Sequence, residues 1–475
     1  MNIIAKYSWL LVVIFFLPKA ILAADFSSQR AGTWNTFKTN YIEAYKSYKA
    51  YGLVFDPSVS DSSKSDAGDY AVSEGVGYGL LLATLQNDQA TFDKIFNAAN
   101  QFMWNGTTYD WKISTAGEKW GTNGATDADE DIALALIIAD KLQAKGTWTA
   151  NSNYATWAQK LINMIYDKET TNSFLKPGDA WGGSDLLNLS YFAPAWYRMF
   201  DSYETTNHDW NAVIDKQYSI LLSTSAKYNG LIPDWQDQYG NQVNGSWGMR
   251  YDGIRTPWRI AVDATVNNNT QAKQYLDTVI PYVMNKDGAS GVQMYAVPSG
   301  NKIEYHNELA VAMWAAGARG ASNTTYRDQL SLELEKMYMP SIQAFSNNWS
   351  QAYLYYFNQS LAMLGSAVAD GSFQKLLNES IVTGGDIVPA QELTKHKRGI
   401  IQKRHVLVRA KQNGDQVTLR CFQTKKHQPK TQFCDKTYTE SSLLKKINIK
   451  HHKIIIKHAS GAKQVFSVAL GLSIN

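Results

Sequence analysis

The chain has 475 residues, 44% of them apolar, which is room for two to three domains or one large one. Its formal charge of +4 hides a division: residues 386–475 carry 18 Lys+Arg against 5 Asp+Glu, net +13, and residues 1–385 carry 28 against 37, net −9. The 2 Cys, Cys421 and Cys434, both lie in the basic part, which excludes a thiol nucleophile, an iron–sulfur centre or a zinc-thiolate site from the larger part.

Residues 1–24 read as an export signal. Lys6 precedes an apolar run from Trp9 to Leu17, and the segment ends Ile21-Leu22-Ala23-Ala24, with cleavage expected after Ala23 or Ala24. An apolar run broken by Pro18 and Lys19 is too short for a membrane anchor, and no later stretch reaches spanning length. The mature protein is therefore expected to be secreted or periplasmic.

Twelve helical patterns follow, over 32–46, 73–86, 89–103, 126–145, 152–167, 190–202, 208–226, 253–266, 270–285, 305–318, 324–337 and 351–367. Every second one is apolar nearly all round, as in GVGYGLLLATL or LAVAMWAAGA. Those between carry charge on one face, as in FDKIFNAANQF. A helix apolar on all sides is buried and a one-sided helix covers it. Six hairpins at intervals of roughly fifty to sixty residues predict an all-α (α/α)6 barrel over residues 25–382. Up-down alternation then brings the starts of the buried helices to one mouth.

Those starts hold the most reactive residues: Ser73-Glu74-Gly75, Thr126-Asp127-Ala128-Asp129, Asn188-Leu189-Ser190-Tyr191 and Tyr251-Asp252-Gly253. Asp127, Asp129, Glu130 and Asp131 crowd one helix start, with Thr126 or Asp127 as the natural N-cap. Four acids exceed what capping and the helix dipole need.

The tail changes character. A linker is expected at 383–398 and a small basic β-rich domain or extension at 399–475, because HVLVRA and VTLRCF alternate around Asn413-Gly414 as a hairpin does. In an exported protein Cys421 and Cys434 would form one disulfide. The net +13 suits an anionic surface or polymer, whereas nucleic acid is not an expected partner.

The large part has two histidines, His208 and His306, without metal-ligand spacing, and no GxSxG. No cofactor or metal is expected. Gly75, Gly77 and Gly79 follow no strand pattern and read as sites of close helix packing or ligand approach, not a dinucleotide loop. Carboxylates, Tyr and Trp remain, the set that hydrolyses a glycosidic bond: one protonated acid for the leaving oxygen, and a second carboxylate acting on water or on the sugar. Trp104, Trp111, Trp120, Trp181, Trp235, Trp247 and Trp258 fall in connections or near helix starts, where rings can stack on sugars.

SEGVGYGLLLA at 73–83, ATDADEDIALAL at 125–136, NLSYFAPAWYRMF at 188–200 and YDGIRTPWR at 251–259 resemble, in order, the motif regions of glycoside hydrolase family 8. The resemblance covers about residues 30–380 and implies an inverting, endo-acting enzyme cutting a β-linked polysaccharide. It makes Glu74 the general acid, Asp127 the acid that holds the distorted sugar, and Asp252 the general base of the cellulase and xylanase branch. It makes Tyr191 and Arg255 partners of the base and its water and Trp111 and Trp181 stacking residues. Tyr251 and Asp129 are further expected substrate contacts, with a capping role the alternative for Asp129. Gln143 departs from the family's usual aromatic, which Trp148 would replace. The expected function is an endo-β-1,4-glucanase acting as a monomer. A xylanase or mixed-linkage glucanase is the alternative within the class, and a non-catalytic glycan-binding or polysaccharide-synthesis accessory protein the alternative outside it.

Overall fold

The computed structural model describes residues 25–57, 69–149, 153–243, 245–346 and 355–381, and the backbone strands of 393–467 given below. The predicted export signal lies outside the described residues. The chain forms two compact units, Met1–Thr383 and Gly384–Asn475.

In the first unit, six helices are buried on almost every side: α2 (Ser73–Leu85), α4 (Thr126–Ala144), α6 (Pro194–Tyr203), α8 (Thr256–Val266), α10 (Glu308–Gly320) and α12 (Tyr356–Ala369). Six others are buried on one face: α1 (Ser27–Tyr41), α3 (Gln89–Phe102), α5 (Tyr154–Lys168), α7 (Trp210–Lys227), α9 (Thr270–Asp287) and α11 (Thr324–Lys336). Each inner helix packs on the next, and α12 returns to α2; α1, α3, α5, α7, α9 and α11 cover them from outside. This is the (α/α)6 barrel that the alternation of apolar and one-sided patterns predicts.

Small residues let the inner ring close. A Cβ on Gly77 would lie 2.9 Å from the Asp131 Cβ, and one on Gly365 2.7 Å from the Ala312 carbonyl oxygen. The glycines of the 73–83 stretch thus serve helix packing. The buried Arg30–Asp370 ion pair, at 2.6 Å, ties α1 to the end of α12.

Among the described residues a thirteenth helix, α13 (Ser372–Ile381), lies beyond the last of the twelve periodic patterns. It packs on α2, α4, α8 and α12, stacks Phe373 on Trp196 at 5.7 Å and bonds Gln374 to Thr265 in the last turn of α8. It therefore plugs the ring at the end away from the inner helix starts.

At the opposite mouth, an antiparallel sheet of β1 (Phe55–Asp56), β2 (Tyr70–Val72), β3 (Lys112–Ser114) and β4 (Lys119–Gly121) leads into α2. The Ser73 N–H donates to the Trp111 carbonyl at 3.0 Å, which fixes where Glu74 begins the helix.

The second unit holds an antiparallel four-stranded sheet of Leu393–Ile401, Arg404–Asn413, Gln416–Lys425 and Gln428–Thr439. A three-stranded sheet of Leu444–Lys450, Lys453–His458 and Lys463–Ser467 follows. The first strand starts inside the segment read as a linker. Its Lys and Arg run suits the edge position it occupies, because charge on an edge strand discourages further pairing. Asn413 and Gln416 are register partners at the expected hairpin, as are Cys421 and Cys434 in the next one. The predicted disulfide concerns side chains outside those described.

Candidate active site

One guanidinium organises the mouth. Arg255 ends a 3₁₀ turn, Gly253–Arg255, that runs into α8, where Pro257 sits in the first turn without wasting an N–H. Its side chain is 1% exposed. Nη1 donates to Glu74 Oε2 at 2.7 Å, Asp127 Oδ2 at 2.8 Å and the Tyr78 hydroxyl at 2.9 Å, while Nη2 donates to Asp252 Oδ1. Three acceptors on one NH2 group require a shared hydrogen. The Tyr191 ring lies 5.3 Å from the guanidinium carbon and Phe357 5.9 Å. Glu74, Asp127, Asp252, Tyr191 and Arg255, from four stretches of sequence, are thus brought together. The terminal nitrogens of a guanidinium are roughly 2.3 Å apart, so the nearest oxygens of Glu74 and Asp252 lie within about 8 Å of each other.

The three acids differ in environment. Glu74 is pushed up to about 7, first by burial and then by the charges of Asp127 and Asp252; Arg255 and the Tyr356 hydroxyl, which donates to Oε1 at 2.8 Å, act against them. A fifth of its side chain still faces solvent, on the cleft side. Burial also raises Asp252, and Asp127 adds to this. Arg255 and the Asn188 amide pull it back. Asn188 is oriented by its own carbonyl, which accepts from the Ser190 N–H and hydroxyl at 3.0 and 2.7 Å. Asp127 keeps one oxygen on Arg255, while its buried Oδ1 meets no donor.

The other acids of α4 turn elsewhere. Asp131 takes both arms of Arg259 at 2.9 and 3.0 Å and the Trp196 indole at 2.7 Å. Glu130 accepts from Tyr197 at 2.5 Å and pairs with Arg259. Asp129 is fully buried and faces Glu169, so it lines no groove. The helix begins without a side-chain cap: Ala125 holds the N-cap position, and the Thr126 hydroxyl donates to the Lys176 carbonyl at 2.8 Å. The expected cap at Thr126 or Asp127 gives way because both side chains have partners outside the helix.

Aromatic rings flank the acids. Trp111 is 43% exposed, Trp181 40% and Tyr251 44%. Trp181 leans on Trp235 at 5.4 Å, which meets Tyr191 at 6.1 Å. Trp247 is also exposed and lies over Arg250 at 4.9 Å. Trp148 folds back over the end of α4, buried against Phe92 at 5.2 Å, while Gln143 donates to the Thr149 carbonyl. His208 stacks on Tyr166 and pairs with Glu204; His306 is held by the Val292 carbonyl and Glu333. Among the described residues, no three acids, histidines or cysteines gather as a metal-holding group.

Three residues of the site escaped sequence reasoning. Tyr356 is the first residue of α12 and was reachable by the rule that inner helix starts converge. Tyr78 lies one turn into α2 among residues read as core. Asp234 comes from a loop with no periodic signal. Its Oδ1 accepts the N–H groups of Arg250 and Gly253, at 2.7 and 2.8 Å, on either side of Asp252. Burial and the Asp252 charge push Asp234 up to about 6.

Known proteins resemble this chain in sequence and in fold. Endoglucanase A of Acetivibrio thermocellus is 39% identical over 322 residues, covering 65% of this chain and 63% of its own. Endoglucanase 2 of Ruminiclostridium josui is 35% identical over 316 residues, covering 65% of each. The chain spans just under two thirds of the length of these curated relatives. Among solved structures, the apo beta-1,3-1,4-glucanase from Paenibacillus sp. X4 superposes with a TM-score of 0.57 at 21% identity, covering 74% of this chain and 95% of its own. A cold-adapted family 8 xylanase gives 0.56 at 18%, covering 73% and 92%. At these identities the likeness is one of fold. The profile described as Glycosyl hydrolases family 8 matches residues 9–371, and the chain belongs to that family.

Proposed function

We propose that this chain is an exported endo-β-1,4-glucanase that hydrolyses its substrate with inversion. The observation that carries the reading is the tie of Glu74, Asp127 and Asp252 to one buried guanidinium at the mouth of the barrel, between exposed tryptophans. Relatives named endoglucanase, at 34–39% identity, support the substrate class.

In this reading Glu74 is the general acid. With its carboxyl near 7, a large fraction is protonated in neutral solution and can protonate the glycosidic oxygen. Asp252 is the base. It takes a proton from a water that attacks the anomeric carbon from the opposite face, so the new C–O bond forms as the glycosidic C–O bond breaks. Inverting pairs stand roughly 6.5–9.5 Å apart with a water between them, and the Arg255 bridge admits that spacing. Asp127 holds the sugar between them through the oxygen that meets no protein donor. Trp111, Trp181 and Tyr251 bind neighbouring sugars by stacking. The basic second unit, net +13 from residue 386 onward, would hold the enzyme on an anionic polymer, a contact that salt should weaken.

Digestion of carboxymethyl-cellulose, xylan, lichenan and chitosan tests the reading, with proton NMR following the anomer released first. The expected result is fastest cleavage of the soluble cellulose, with the α-anomer appearing first. Appearance of the β-anomer first would refute inversion, and preference for xylan or lichenan would move the substrate. In the same assay Glu74→Gln should lose roughly 10²–10⁴-fold in turnover. A fully active variant would remove Glu74 from its role.

A further inference from the structure

We propose that Asp129 and Glu169 share a single proton, and that this buried carboxyl pair pins the first turn of α4, and with it Asp127, to the end of α5. The positioning of Asp127 rests on the function proposed above; the pairing does not.

Asp129 lies in the first turn of α4 and Glu169 directly follows α5. Both are fully buried, and none of their four carboxylate oxygens meets a donor in hydrogen-bond geometry. The oxygens crowd one point: a Cβ on Gly124 would lie 2.7 Å from Asp129 Oδ2 and 2.9 Å from Glu169 Oε1. The two carboxyls are within reach of a bond to each other.

The groups acting on the pair are acids. Asp179 and Asp127 act on Asp129, and Asp179 and Glu130 on Glu169. Tyr109 contributes its backbone N–H toward Asp129, and its hydroxyl is engaged by Asn100. Of the nearby lysines, Lys176 donates to the Lys168 and Asp179 carbonyls, Lys119 pairs with Asp110, and Lys168 is exposed. Two ionised carboxylates without a cation are too costly to bury. One shared proton leaves one charge and makes a strong O–H···O bond between them. Burial and the surrounding acids raise both carboxyls above their ordinary values, so the pair keeps at least one proton in neutral solution.

The pair sits within a clamp on the start of α4. The Gly124 N–H donates to Asp179 at 2.9 Å, the Thr126 N–H to the Pro177 carbonyl at 3.1 Å and the Thr126 hydroxyl to the Lys176 carbonyl.

The test is the thermal midpoint of the full chain, without substrate, from pH 5 to 9, for wild type, Glu169→Gln and Asp129→Asn. Over this range the folded wild type holds a proton that the unfolded chain has lost, so its stability falls as pH rises. An amide donates without a titratable proton. Each variant should therefore show a shallower fall, matching or trailing wild type at pH 5 and exceeding it by a few degrees at pH 8. Parallel curves would overturn the proposal, as would failure of both amide variants to fold. A wild-type midpoint that calcium chloride raises and a chelator lowers would make the cluster a cation site and end it too. Because no activity is read, inactivity on every glucan would refute the proposed function and leave this result standing. For the positioning role, Glu169→Leu should lower kcat with KM held, and Glu169→Gln should restore it.

Discussion

Tyr356 donates its hydroxyl to Glu74 Oε1 at 2.8 Å, across 282 positions of sequence and from the first residue of α12 to the first turn of α2. The bond favours the ionised carboxylate and so opposes the burial that lifts Glu74 to about 7. In the proposed mechanism activity needs Glu74 protonated and should fall as pH rises through that value. Tyr356→Phe removes a force that lowers the pKa, so the alkaline limb should move up by roughly half to one unit. A kcat/KM profile against pH checks this, and a limb that stays or moves down would contradict it.

Arg255 is the more demanding case, because four groups share its two terminal nitrogens. Lysine keeps the charge but offers a point donor on a flexible stem in place of a planar fork. Arg255→Lys should leave at least one buried acid unpaired and cost roughly 3–5 kcal/mol of stability at pH 8. Glu74 is pushed up to about 7, so the loss should shrink toward pH 5 as it takes up a proton, and the upward shift of Asp252 acts in the same sense. Thermal midpoints at the two pH values decide it; a loss of equal size at both would show that the acids do not depend on Arg255.

The barrel was legible in the sequence because burial leaves a periodic mark. Ile132, Leu136 and Ala139 are all fully buried in α4, and the alternation of such helices with one-sided ones sets the architecture. The grouping of Glu74, Asp127, Asp252, Tyr191 and Arg255 was legible because all stand at or beside inner helix starts, which parallel packing brings to one mouth. What hid were long-range pairings. Asp129 looked like its neighbour Asp127, yet it points to Glu169, and nothing in four adjacent acids says which faces the cleft. Ser372–Ile381 ends where a charged tail begins, and only the open end of the ring gives its apolar face a place.

Asp234 supports Asp252 from behind, through backbone. One oxygen accepts the N–H groups of Arg250 and Gly253, and a Cβ on Gly253 would lie 2.3 Å from the Ile232 carbonyl, so the turn cannot relax inward. Asp234→Asn keeps a carbonyl acceptor and should hold kcat within about 3-fold, since one acceptor can satisfy both donors. Asp234→Ala orphans both N–H groups at about 1–3 kcal/mol each and frees Asp252, the proposed base, to drift. Its kcat should fall roughly 10²-fold, the cost of small misplacement, with KM little changed. Equal kcat in the two variants would show that the clamp does not set the base.

Trp181 is braced from behind. Its ring leans on Trp235 at 5.4 Å, and a Cβ on Gly178 would come within 2.5 Å of its indole nitrogen, while 40% of the residue remains open to solvent. In its proposed stacking role, a ring held on one face and free on the other would bind a sugar alike before and during reaction, so its energy would belong to affinity rather than turnover. Trp181→Ala should raise KM on long oligosaccharides about 10-fold, a loss of about 1.4 kcal/mol, with kcat within 2-fold. Trp181→Phe should recover part of it. Steady-state kinetics on a chain-length series separates the outcomes: a drop confined to kcat would mean that Trp181 acts on the reacting sugar and not on a neighbouring one.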